Sequence, residues 1–243
     1  MNQNQIVFAI DAGNTFLKVA KFQAGLLQNV QRIQLNQLQI LKDILNSELY
    51  ETVILSTVLS DKDTQAIVDC CNSCTILNNR SKLPIAIKYE SPISLGFDRI
   101  CNAVAGMFLE QSKNCVTIDI GTCIKFDFTD LNGNYFGGSI SPGIQLRYRS
   151  MNDYTGKLPL LNDVTSAELV GNNTENSMRS GVMNGMQGEI DHFIQWYTEQ
   201  YQDLTFFVTG GDAVYFDFQS KNNIFVQENL TLIGLYQIYL FNA

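Results

Sequence analysis

Histidine is almost missing from this chain: among 243 residues there is one, His192. An HExxH zinc site needs two, and a hydrolytic triad needs one set in a pocket. His192 stands beside Asp191 in a helical stretch and reads as a helix-surface residue. Acid–base chemistry therefore falls to carboxylates. Positive charge is scarce as well. Sixteen Lys and Arg face 24 Asp and Glu, a net charge of −8. Holding a phosphate backbone takes a basic face, so no nucleic-acid partner is expected, although a local site for a small anion is compatible with an acidic protein.

Long apolar runs are also lacking. No stretch approaches the roughly 18 apolar residues of a membrane helix. The run Ile6 to Ile10 has no basic residue ahead of it and is too short for a signal-peptide core. No membrane partner and a cytoplasmic location are the expectation, with the six cysteines reduced. Cys71 and Cys74 have a metal-ligand spacing, but no second pair accompanies them, and a structural zinc site takes four ligands. The phosphate loop GxxxxGK[ST] and the turn GxGxxG are absent. A bound nucleotide would use neither of them, nor a protein-kinase glycine loop.

What is present is a globular composition, 45% hydrophobic and 16% charged, long enough for one large domain or two small ones. The strongest organisational signal is an internal echo. Asp11-Ala-Gly-Asn-Thr15 follows the apolar run Ile6 to Ile10, and Asp119-Ile-Gly-Thr122 follows Val116 to Ile118, 108 residues further on. Each copy reads strand, acidic residue, glycine turn, hydroxyl, second strand.

A three-strand meander is predicted after each copy. The first has strands at Phe16–Phe22 and Leu26–Leu35. The second has them at Ile124–Thr129 and Tyr135–Ile140, joined at Asn132-Gly133. Helices are predicted over Gln37–Leu49, Asp61–Cys71, Ile100–Gln111, Ser177–Tyr201 and Leu230–Phe241, and strands over Thr52–Ser56 and Leu204–Thr209. This is an α/β pattern with mixed sheets. The boundary falls near Ser112 to Asn114, giving domains 1–113 and 114–243.

Five segments carry possible chemistry. In Asp11 to Lys18, glycine permits close backbone approach, and Asn14, Thr15 and Lys18 are donors for phosphate oxygens. Asp11 would hold Mg²⁺ through water. The bland alternative is a hairpin whose Asp and Asn satisfy the backbone. Asp119 to Thr122 repeats the device. Thr209-Gly-Gly-Asp-Ala213 is either a tight turn or a flat approach for a ring or phosphate. In Gly96-Phe-Asp-Arg99, preceded by Tyr89, the residue types alone favour an N-cap Asp98 with a solvated Arg99. The other reading is a general base with a ligand clamp. Gly137-Gly-Ser-Ile-Ser-Pro-Gly143 is a rigid loop or a plain turn.

Taken in order, these segments resemble one family, the type III pantothenate kinases. The residues that carry the resemblance are Asp11-x-Gly-Asn-Thr-x-x-Lys18, Gly96-x-Asp-Arg99, Asp119-x-Gly-Thr122, Gly138-x-Ile-x-Pro-Gly143, Asn173-Thr174 with Ser180-Gly181, and Gly210-Gly-x-Ala213. It implies two ribonuclease-H-like domains of the actin-like ATPase kind, with mixed sheets flanking a nucleotide cleft, and a homodimer. It implies ATP-dependent phosphorylation of pantothenate, the first step of coenzyme A biosynthesis, with Mg-ATP and a monovalent cation, potassium or ammonium.

Carried over residue by residue, Asp11, Ala12, Gly13, Asn14, Thr15, Phe16, Leu17 and Lys18 bind ATP, with Thr122. Tyr89, Gly96, Phe97, Asp98 and Arg99 bind pantothenate. Asp98 is the proton acceptor, which reverses the preference for a cap. Asp119 ligates the monovalent cation, and Thr174 reaches the substrate across the dimer. One departure stands out. Where the family reads Gly-Thr-Ala-x-Thr, this chain has Gly121-Thr-Cys-Ile-Lys125. Lys125 either points to solvent or places an ammonium where the cation would sit, weakening potassium dependence.

Two alternatives are a non-catalytic regulatory relative, of the accessory transcription factor type, and a kinase for another small hydroxyl acceptor. Retention of Asp11, Asp98, Arg99 and Asp119 argues against the first, and the Gly96 to Arg99 segment with Tyr89 against the second. A purely structural actin-like protein ranks last, since the chain has no room for filament-forming insertions.

Overall fold

The same strand plan is built twice. The computed structural model describes residues 5–13, 16–111, 113–218 and 223–243. It divides the chain into two compact units, one of Met1–Ala86, Glu90–Leu109 and Asn229–Ala243, the other of Ile87–Tyr89 and Glu110–Glu228.

In the first unit, β1 (Ile6–Ala12), β2 (Phe16–Gln23) and β3 (Leu26–Gln34) form the antiparallel meander. Helix α1 (Leu38–Asn46) buries Leu41 and Leu45. It stops short of the predicted end because the Ser47 N–H and hydroxyl both donate to the Ile44 carbonyl. Strand β4 (Thr52–Thr57) returns parallel to β1. Helix α2 (Asp61–Val68) is capped by Ser60, whose hydroxyl accepts from the Asp63 N–H at 3.2 Å, with Asp61 and Asp63 at the favourable end of the dipole. It ends before the predicted Cys71 because the Cys70 and Cys71 N–H groups bond back to Ile67 and Val68, tightening the last turn. Strand β5 (Cys74–Ile76) completes the order β3-β2-β1-β4-β5.

A two-residue strand, β6 (Ala86–Ile87), precedes α3 (Phe97–Leu109), which begins three residues before the predicted start. In the second unit, β7 (Asn114–Ile120), β8 (Cys123–Thr129) and β9 (Asn134–Pro142) repeat the meander. Helices α4 (Ile144–Asp153) and α5 (Thr174–Gln200) follow. Asn173 caps α5 by accepting from the Asn176 N–H at 2.9 Å. Strand β10 (Leu204–Thr209) lies parallel to β7, and β11 (Ile224–Val226) parallel to β10. The sheet order is β11-β10-β7-β8-β9-β6. A meander extended by two parallel strands therefore appears in both units, as the echo of Asp11 and Asp119 implied.

The closing helix, α6 (Leu230–Asn242), packs on α3 and β1 of the first unit. A cut of the sequence at 113/114 assigns it to the second half; its contacts assign it to the first. The reason is a close helix crossing. A Cβ on Gly234 would lie 1.7 Å from the Cys101 carbonyl oxygen, so only glycine lets the backbones approach this far. Thr231 then donates to Asn102 at 2.8 Å, and Tyr236 stacks on Phe22 at 4.0 Å. Among the described residues no helix is long and apolar enough to cross a membrane.

Candidate active site

In the first unit, the chemistry gathers where β1 ends and α3 begins. Asp11 is the penultimate residue of β1, opposite Lys18 on β2 and Ser56 on β4. Cross-strand partners share a sheet face, so Asp11 and Lys18 present a carboxylate and an ammonium together. The Gly13 N–H donates to the Phe16 carbonyl at 3.1 Å. Asn14 and Thr15, both expected to bind ATP, lie outside the described residues. Ala12 and Leu17 are core residues, 1% and 0% exposed, and can meet a ligand only through their backbone. The Arg32 guanidinium lies over the Phe16 ring, 4.0 Å from its centre.

Asp98 occupies the first turn of α3, where the helix dipole favours a negative side chain. It is not the N-cap that residue types alone suggested, because the helix already starts at Phe97. Its carboxylate folds back over Gly96: a Cβ there would meet Oδ1 at 2.5 Å. Arg99 is 5% exposed and therefore not the solvated arginine of the bland reading; it is held by interactions within the fold. The thiol of Cys101 is pushed well above its ordinary value by complete burial, then by the charge of Asp11, then by that of Asp98. Cys101 sits about one turn beyond Asp98 on α3, and both carboxylates belong to the first unit.

In the second unit, three sequence segments meet at one turn. Asp119 on β7 lies opposite Lys125 on β8, and Lys125 Nζ reaches Asp119 Oδ2 at 2.6 Å, with both side chains about five-sixths buried. The solvent-pointing alternative for Lys125 is thereby ruled out. Register agrees: Ile120 pairs with Ile124, so Asp119 and Lys125 share a face.

The turn is closed from two sides. The Gly143 N–H donates to the Thr122 carbonyl at 3.0 Å, and a Cβ on Gly143 would sit 1.9 Å from the Gly121 oxygen. Gly210 has φ +98°, and its added Cβ would lie 2.1 Å from the Ile120 oxygen. The Asp212 N–H donates to that same oxygen at 3.0 Å. Burial first, and the nearby charge of Asp119 second, push the Asp212 carboxyl up. Arg147 on α4 donates to the Pro142 carbonyl at 2.8 Å and pairs with Glu189 of α5, which fixes the end of β9 ahead of Gly143; the segment from Gly137 to Pro142 is strand, neither the rigid loop nor the plain turn expected of it.

Beside Gly210 opens a cavity of about 580 Å³, lined by Thr209, Ala213, Phe216, Phe218 and Val226 among others, within the size range of small-molecule sites. Thr122 is exposed at the turn, and Thr174 is exposed at the start of α5. Tyr89, just beyond β6, is half-buried and belongs to this unit.

Sequence reasoning missed the Lys125 contact as a fact, the convergence of Gly143 and Gly210 on one turn, and Asp212. Strand parity was the only available signal for the first. Among the described residues no group of three His, Cys, Asp or Glu side chains is arranged to hold a metal ion. Cys71 and Cys74 touch, their thiols sharing a hydrogen bond, but they have no further ligands of that kind.

The family model described as type III pantothenate kinase matches residues 7–196. A protein of that description from Cytophaga hutchinsonii is 36% identical over 96% of this chain and 98% of its own. Among solved structures, a Campylobacter jejuni protein described as a Baf family transcriptional activator superposes with TM-score 0.62 at 18% identity, covering 97% of this chain and 98% of its own. A glucokinase from an Antarctic psychrotroph superposes with TM-score 0.51 at 12% identity, covering 99% of this chain and all of its own. At those identities the structures bear on fold alone: this chain shares the α/β fold of these proteins, built on two mixed sheets.

Proposed function

This chain belongs to the type III pantothenate kinase family, and from that premise we propose how its residues carry the phosphoryl group of ATP to pantothenate in coenzyme A biosynthesis. Phosphoryl transfer demands positioning and charge neutralisation more than covalent help from the protein. Asp98 is the catalytic base. It orients the primary hydroxyl of pantothenate and accepts its proton. Arg99, being buried, braces the substrate loop instead of clamping the ligand.

Asp11, Gly13 and Lys18, together with Asn14 and Thr15, receive the ATP phosphates. Asp11 is a single half-buried carboxylate. That suits Mg²⁺ held through water, with phosphates supplying the remaining oxygens. When bound, the ion neutralises phosphate charge. Thr122 contacts the nucleotide, and the cavity beside Gly210 takes its base. Tyr89 and Phe97 line the pantothenate site, and Thr174 completes it across a homodimer. The enzyme works in the cytoplasm.

The assignment of a monovalent cation to Asp119 takes a changed form here. The Lys125 ammonium already stands on that carboxylate, and it serves as a tethered cation in place of potassium or ammonium ion.

The observation that carries the reading is the placement, in one unit, of Asp11 near the end of β1 opposite Lys18 and of Asp98 in the first turn of α3: a metal-side carboxylate and a helix-borne base. The test is ADP release with Mg-ATP, with and without pantothenate, in potassium and in sodium buffer. Turnover must depend on pantothenate. ADP release indifferent to pantothenate in both buffers would overturn the reading and favour another acceptor or a regulatory role.

A further inference from the structure

Tyr89 rests on bare backbone. A Cβ built on Gly137 would meet Cδ2 and Cε2 of the Tyr89 ring at 2.6 and 2.7 Å. Gly137 also has φ +89°, a conformation that side-chain-bearing residues rarely adopt. The Cδ2–Cε2 edge of the ring therefore abuts a place that only glycine can leave open. Beside it stands Tyr135, ring centres 6.3 Å apart. Tyr135 is fully buried, and its hydroxyl donates at 2.6 Å to Asp127, itself 2% exposed. A buried carboxylate is costly unless it is hydrogen-bonded, so this pair resists rearrangement and holds the Tyr135 ring in one place.

The backbone adds a third constraint. The Lys88 N–H donates to the Tyr135 carbonyl at 2.8 Å, which ties the residue before Tyr89 to β9. Between Tyr135 and Gly137 the β8–β9 register slips: Thr129 pairs with Tyr135 and Phe128 with Gly137, leaving Phe136 over. Bulges of this kind re-aim side chains beside functional sites.

We infer that Gly137 and the Asp127–Tyr135 pair are positioning residues for pantothenate, acting through the ring of Tyr89. The inference rests on the reading of Tyr89 as a pantothenate contact. A ring held beforehand in its binding rotamer loses less freedom when substrate arrives. Its displacement weakens pantothenate binding and leaves ATP binding and the chemical step alone.

The experiment measures steady-state kinetics for Tyr89→Ala, Gly137→Ala and Tyr135→Phe, and for each of the last two combined with Tyr89→Ala. All variants are checked for an unchanged circular dichroism spectrum. The expected result is a pantothenate KM raised about fivefold or more in each single variant, with kcat and the ATP KM within twofold of wild type. In the double variants the KM should equal that of Tyr89→Ala alone, because the second change has nothing left to act through.

If Tyr89→Ala leaves the pantothenate KM unchanged, the Tyr89 reading fails and the inference falls with it. If Tyr89→Ala raises the KM but the other two do not, or their increases multiply with it, the inference is overturned while Tyr89 keeps its role. Should Gly137→Ala fail to fold, Tyr135→Phe, which removes one hydroxyl and keeps the ring, decides by the same criteria.

Discussion

Lys125 and Asp119 face each other across β8 and β7, ammonium to carboxylate at 2.6 Å, each about one-sixth exposed. An ion pair this sheltered is screened far less than one on the surface. A soluble cation would have to displace a tethered one. Activity in potassium and in sodium should therefore agree within about twofold, well under the 1.4 kcal/mol that a tenfold change represents. Lys125→Thr removes the tether and should make turnover depend on potassium by about tenfold or more. Assays of both proteins across a potassium–sodium series decide it. A variant whose dependence matches wild type would end the tethered-cation reading.

Asp98→Asn keeps the shape of the side chain at the first turn of α3 and removes its ability to accept a proton. Loss of a general base lowers kcat by about 10²- to 10⁴-fold. Circular dichroism should be unchanged, and ATP binding by calorimetry should survive. Near wild-type kcat would show that the carboxylate only shapes its loop.

Gly143→Ala would drive a Cβ to within 1.9 Å of the Gly121 oxygen. Backbone must move to admit it, at about 1–3 kcal/mol, a fall of roughly 2–12 °C in melting temperature for a chain of this size. Gly156 has nothing within 4 Å of its added Cβ, so Gly156→Ala should stay within about 0.5 kcal/mol of wild type. Thermal melts of the pair test whether the second acidic turn is closed from this side.

Asp212 titrates above the ordinary carboxylate value because it is buried and, next, because Asp119 is near. A raised folded value means that the native state binds this proton more tightly than the unfolded chain does. The contribution to stability is full below the ordinary value and is lost as pH rises through the raised one. Asp212→Asn should therefore melt higher than wild type near pH 7, with the advantage fading as pH falls through the raised value and gone below the ordinary carboxylate value. Melting temperatures across that range check the sign.

The cysteines should separate by reactivity. Cys74 is lowered by the hydrogen bond from the Cys71 thiol, which is itself raised. Burial pushes Cys115 up to about 12, aided by Glu110, and Cys101 well above its usual value. Since the thiolate is the nucleophile, brief alkylation of the folded protein near neutral pH should label Cys74 first and spare Cys101 and Cys115. Peptide mass spectrometry reads the order.

The sequence by itself determined what short-range chemistry determines. Apolar periodicity and the Asn132-Gly133 turn set the order of strands and helices, and the Asp11 and Asp119 turns revealed the duplicated plan. The ordered motifs also identified the family. Tertiary structure decided everything that depends on close approach between distant segments. Helix α6 joins the first unit because Gly234 lets it press on Cys101, 133 residues earlier. Gly143 and Gly210 turned from possible plain turns into the walls of one acidic turn. Lys125, ambiguous while the hairpin phase was unknown, became an ion-pair partner once register placed it opposite Asp119. Tyr89 found its seat on Gly137 through a slipped register that no periodicity announces. Periodicity reports which way a side chain points along its own element, and the partner it meets there is set by packing across the fold.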